Sequence, residues 1–158
     1  MFIPSIRATA LVGMAVLAAG CGSVMHRHQR PDDFSLKYAK SSPSISTAMW
    51  WKYSVEIDAK GTKTVHWASN EGDKDSTGQL DAADYDALYA TLRKDGAFDK
   101  LADNPPCPNP IGGGNEDLTL FAKGEYTIIP RCSTQPKRQK KIEQIWNDVR
   151  QVVGKPPR

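Results

Sequence analysis

The sequence predicts an α+β domain of two layers, an antiparallel sheet of about five strands with helices packed on one face. Three observations predict it. Residues 50–69 alternate apolar and polar side chains about a glycine turn, residues 118–132 do so about a second one, and two further stretches, one after each hairpin, repeat their apolar residues at helical spacing. Read in order, the elements run strand, hairpin, helix, hairpin, helix, the pattern of an antiparallel sheet covered on one side.

The first strand is predicted where Phe34, Leu36 and Tyr38 alternate with polar residues. In the second, Trp51, Tyr53, Val55 and Ile57 fall on one face, with Lys52, Ser54, Glu56 and Asp58 on the other. Asp58-Ala59-Lys60-Gly61 reads as a turn, after which Thr62 to Ser69 returns with Val65 and Trp67 inward. Residues 70–79 are polar and contain glycine, so they read as a loop. Asp81 is the expected N-cap of a helix over 82–95, because Tyr85, Leu88 and Leu92 recur at helical spacing before Gly96. Four prolines in Asp103–Pro110 then predict a stiff extended loop, followed by Gly112, Gly113 and Gly114. Those glycines lack the spacing of a phosphate-binding loop and lead into a strand. Leu118, Leu120 and Ala122 mark the fourth strand, Lys123-Gly124-Glu125 turns it, and Tyr126 to Cys132 forms a fifth that Pro130 places at an edge or leaving the sheet. The last helix is expected over 136–153, with Ile142, Ile145, Trp146, Val149, Val152 and Val153 in one core-facing stripe.

Composition fits one such domain. The chain has 158 residues, 39% hydrophobic and 25% charged, which argues against disorder over most of its length. A net charge of +3 is too mild to imply nucleic acid. Charge is uneven, however: residues 71–103 hold nine acids against four bases, and residues 123–158 hold nine bases against three acids. The domain surface is therefore expected to be dipolar.

At the N-terminus, Arg7 precedes the apolar run Ala8 to Ala19, too short to span a bilayer and the right length for a signal-peptide core. The run closes on Leu17-Ala18-Ala19-Gly20-Cys21, which resembles the lipobox of type II signal peptides of bacterial lipoproteins. It departs from the common pattern in having Ala18 three residues before the cysteine. The resemblance implies cleavage before Cys21, lipidation of Cys21 and attachment to a membrane, and Gly22 in place of aspartate implies the outer membrane, with the domain facing the periplasm. The expected organisation is a signal peptide over 1–20, a lipidated cysteine and tether over 21–30, a globular domain over 31–154 and a tail over 155–158.

With Cys21 so used, Cys107 and Cys132 remain, and an oxidising periplasm favours a disulfide between them. It would close a loop of about 25 residues, worth on the order of 3 kcal/mol. A reactive-thiol reading has no support, since neither a CxxC spacing nor a histidine close in sequence is present.

The segments PDDFSLKY, YSVEID, LDAADYDALYATL and DLTLFAKGEYTIIP together resemble a loosely defined family of small bacterial proteins and lipoproteins of unknown function. The resemblance covers most of residues 31–153 and its motifs are structural, so it implies no activity, cofactor or catalytic residue. Cys107 and Cys132 stand outside its common pattern.

A direct search for chemistry assigns no catalytic residue, no metal site and no cofactor. His66 is the one histidine of the folded region, on the strand face away from Val65 and Trp67, and a nucleophile-histidine-acid set needs it positioned beside partners. His26 and His28 lie in the tether without enough further ligands for zinc. One cluster goes unexplained by local physics: Lys137, Arg138, Lys140 and Lys141 crowd the positive end of the last helix, which costs a few tenths of a kcal/mol each. Two readings stay open, cations that are solvated or pair with the acidic first helix, or an anion or partner site that Trp50 would extend with an aromatic anchor. Functionally, the expectation is a non-catalytic envelope lipoprotein with a binding or structural role. The alternative is an inhibitor or immunity lipoprotein that inserts its proline-glycine loop into a hydrolase or toxin.

Overall fold

In a computed structural model, residues 29–42, 50–99 and 114–156 are described. Six strands and two helices follow one another as β1 (Ser35–Ser41), β2 (Trp51–Ile57), β3 (Thr62–Ser69), β4 (Gly72–Gln79), α1 (Ala82–Lys94), β5 (Glu116–Ala122), β6 (Glu125–Ile128) and α2 (Pro136–Val153). The strands form one open antiparallel sheet in the order β4-β3-β2-β1-β5-β6. The α+β class is thus as expected.

The element order needs correction. Residues 70–79 are not a loop: β4 pairs along its length with β3, from Thr62 opposite Gln79 to Ser69 opposite Gly72. Its sequence, GDKDSTGQ, has no apolar residue and every side chain is exposed. An edge strand with solvent on both faces needs no alternation, so periodicity cannot find it. The expected fifth strand over 126–132 is also shorter than read, ending at Ile128 before Pro130. Arg30, assigned to the tether, is docked on the domain: its guanidinium bonds Asp86 at 2.7 Å and the Ala59 carbonyl at 2.8 Å, and lies over the Tyr85 ring.

Turn chemistry sets the strand register. Gly61, at φ +82°, lets the β2–β3 turn close, and the Asp58 carboxylate accepts from the amides of Lys60 and Thr62. Lys123 (φ 55°) and Gly124 (φ 75°) form the two-residue hairpin turn between β5 and β6, a geometry whose twist matches that of the strands. Asp33 secures it from outside by accepting both of its amides, and these bonds hold the Asp33 carboxyl below the usual range.

One apolar core fills the space between the sheet and the helices. Leu36 and Tyr38 of β1, Tyr53, Val55 and Ile57 of β2, and Leu118 and Leu120 of β5 meet Tyr85, Leu88, Tyr89 and Leu92 of α1 and Ile142, Ile145, Trp146, Val149 and Val153 of α2. Helix α1 is capped by Asp81, whose side chain accepts from the Ala83 amide, and Gly96, at φ +78°, lies just past its end. The buried hydroxyl of Tyr85 donates to the Phe34 carbonyl, and the Trp146 indole donates to the Pro130 carbonyl, so neither polar tip is orphaned.

Among the described residues, one buried polar side-chain atom is without a hydrogen-bond partner. Asp148 Oδ2 is buried with no partner, while Oδ1 accepts from Gln144 at 2.9 Å. Burial, with Asp95 alongside, raises its pKa above the ordinary value. Asp148→Asn, which can keep the Gln144 bond and present a donor to Asp95, is expected to gain about 1 kcal/mol at neutral pH. A carboxyl whose folded pKa is raised costs stability only where it ionises on unfolding, so the gain should disappear as the pH falls through the carboxylate range. Urea denaturation at pH 7 and pH 3 checks this; an equal gain at both would refute it.

Candidate functional site

The core-facing side of the sheet does not end in apolar residues. Along β1 the inward positions run Leu36, Tyr38, Lys40, and along β5 they run Leu120, Leu118, Glu116, with Lys40 directly opposite Glu116. Helix α2 adds Arg150, which follows the core residue Val149. The two strands and the helix thus bring a carboxylate, a phenol and two cations together at one edge of the core.

Glu116 is the centre of this group and the one charged side chain counted as buried among the described residues. Its Oε1 accepts from the Tyr38 hydroxyl at 2.5 Å and from Arg150 Nε at 2.9 Å, and its Oε2 accepts from Arg150 Nη2 at 2.6 Å. Lys40 Nζ stands 4.0 Å from Oε1. Burial pushes the Glu116 carboxyl up, but the guanidinium and the phenol outweigh it, leaving its pKa below the ordinary value. Tyr38 moves the other way: burial and the adjacent carboxylate hold its hydroxyl well above the usual phenol range. Glu116 is therefore ionised and held in place by three hydrogen bonds. It is a structural counter-ion for Arg150, not a free base.

Beside this network opens a cleft of about 1280 Å³ between α2 and the sheet. One wall is aromatic: Trp51 and Trp67 stack at 5.4 Å between ring centroids with 19° between planes, next to Tyr53. The other wall is the outer stripe of α2, Asn147, Arg150 and Gln151, continued past the helix end by Lys155. Gly154, at φ +86°, turns the chain there. Lys63 and the Tyr53 hydroxyl donate to the carbonyls of Val152 and Val153, both at 2.8 Å, satisfying the last turn of the helix. The cleft is thus built from fixed groups, its walls held by core packing and by capped backbone.

Of the residues singled out in the sequence, Trp50 is exposed immediately before β2, and Lys137, Arg138, Lys140 and Lys141 occupy the first turns of α2. They do not form one patch. Lys137, Arg138 and Lys141 border a groove with Asp95 and Asp99 from the end of α1, whereas Trp50 directly precedes Trp51, which lines the cleft at the other end of α2. About thirteen residues of helix, roughly 20 Å, separate the two. His66 pairs with Asp75 across β3 and β4 on the sheet face away from the helices, and Ser54 lies opposite His66 on β2. That Ser54-His66-Asp75 row has the residue types of a hydrolase triad. The row runs across the sheet from β2 to the edge strand β4, and the amides around Ser54 serve the ladders on both sides of β2, so they are not available as oxyanion donors.

Cys21, Cys107, His26, His28 and the proline-glycine loop from Asp103 to Gly113 lie outside the described residues. Cys132 lies between β6 and α2. No described helix is long and apolar enough to cross a membrane. Sequence reasoning missed Tyr38, Lys40, Glu116 and Arg150 as a group, although a signal was present: Lys40 and Glu116 continue two alternating strands at positions where the pattern calls for apolar side chains.

Compared with models of known protein families and with curated proteins, the chain matches none.

Proposed function

We propose that the chain is a non-catalytic lipoprotein of the bacterial cell envelope, held through Cys21 with its domain in the periplasm, and that the domain is a binding module. The observation that carries the binding role is the cleft: a fixed aromatic wall and a prepaid charge network, facing an opening large enough for a small ligand. Support for a non-catalytic role comes from Glu116, whose carboxylate accepts three hydrogen bonds from Tyr38 and Arg150. The anchor rests on the sequence from Arg7 to Cys21, and outer-membrane placement on Gly22. A Cys107–Cys132 disulfide belongs to the same reading, supported by the two being the cysteines left once Cys21 carries lipid.

Two readouts test this proposal. Metabolic labelling with a fatty-acid analogue is expected to mark the wild-type protein in the membrane fraction and to fail with Cys21→Ser; label retained by that variant would reject the anchor. Binding is read separately, by titration of small aromatic probes into the cleft as set out below.

A further inference from the structure

We propose that the cleft takes an amphiphilic anion: a ligand with a flat or apolar body and a single carboxylate or phosphate group. This rests on the binding role proposed above and names the chemistry of the ligand. Its apolar half follows from the wall. Trp51 and Trp67 are both only partly buried although they pack against the core, so the stacked indoles leave apolar surface open to whatever enters. Aromatic faces of this kind accept rings and acyl chains alike.

The anionic half follows from charge accounting. Among the described residues, none that lines the cleft is acidic, while Lys40, Arg150 and Lys155 line it. Glu116, behind the lining, balances Arg150 through two bonds and approaches Lys40 only at the 4.0 Å limit. Two positive charges are thus in surplus where the aromatic wall ends. The negative end of α2 points toward the same place, but its last two carbonyls are taken by the Lys63 ammonium and the Tyr53 hydroxyl, which offsets its repulsion of an anion. Lys40, with its side chain 38% exposed, and the exposed Lys155 keep their ammonium groups within reach of a ligand. Asn147 and Gln151 add neutral donors along the helix.

Three probes with one naphthalene body separate the two halves: 2-naphthoate, 2-naphthyl phosphate and uncharged 2-naphthylmethanol. They are titrated by calorimetry into the full chain carrying Cys21→Ser, so that no attached lipid competes for the cleft. At low salt at least one anion is expected to bind roughly ten-fold more tightly than the alcohol, the scale of effect that two partly exposed cations supply, and added salt should erode the difference. Whichever anion binds better identifies the headgroup. The double substitution Lys40→Gln with Lys155→Gln should remove the preference without changing alcohol binding, and Trp51→Ala should weaken all three probes. Equal affinity for anions and alcohol, or a preference that survives the double substitution, overturns the anion assignment and leaves an apolar binding cleft standing. Absence of binding by all three overturns the cleft as a binding site as well.

Discussion

Arg150→Met is expected to destabilise the domain by about 3 kcal/mol at neutral pH, the lower end of the cost of leaving one member of a buried ion pair without its partner. The lower end applies because the Arg150 side chain is 43% exposed, which lets water reach the vacated position, whereas Glu116 is only 7% exposed. The sign of the pH dependence follows from Glu116. Its folded pKa is lowered, so it contributes stability that is complete above the unfolded carboxylate pKa and is lost as the pH falls through the folded value. In the variant that contribution is absent, so the gap between wild type and Arg150→Met should be widest near pH 7 and close in acid. Adding Glu116→Gln to the variant should recover part of the loss, because a neutral amide tolerates burial better than an unpaired carboxylate. Guanidinium denaturation of the two variants across pH measures all of this. A single-variant loss under about 1 kcal/mol, or one that does not vary with pH, would show that the network is not what holds this edge of the core.

Phe34→Ala should have the largest effect of any single truncation, about 3–5 kcal/mol. Phe34 is fully buried immediately before β1, and its ring meets Tyr85 at 5.1 Å, Tyr89 at 5.0 Å and Phe98 at 6.1 Å. Its loss removes three aromatic contacts and leaves a void between the sheet and α1, while its carbonyl still receives the Tyr85 hydroxyl. Thermal melts should show the midpoint falling by more than about 10 °C, with Phe34→Leu falling less, since leucine refills part of the space. A drop of a degree or two for the alanine variant would mean that α1 can collapse onto the site.

Much of the fold was legible because burial on one face writes itself into the sequence. Tyr53, Val55 and Ile57 are buried on β2 as their alternation predicts, and Asp81 caps α1 from its expected position. The last helix spans Pro136–Val153, and five of its six stripe residues are buried, with Val152 partly so. Trp50 and the lysines of α2 belong to different elements, and how residues on separate elements share a surface is not written in either local pattern.

Alternation, turn residues and caps, each a local signal, determined the α+β class, both helices and the two hairpins β2–β3 and β5–β6. Two features were decided only in three dimensions. β4 exists because β3 offers it a ladder, and a strand solvated on both faces records nothing of that pairing in its own composition. The Tyr38-Glu116-Arg150 network joins residues 34 to 112 positions apart, and whether a charge at a core-facing position is paired or ruinous depends on what the rest of the chain brings against it.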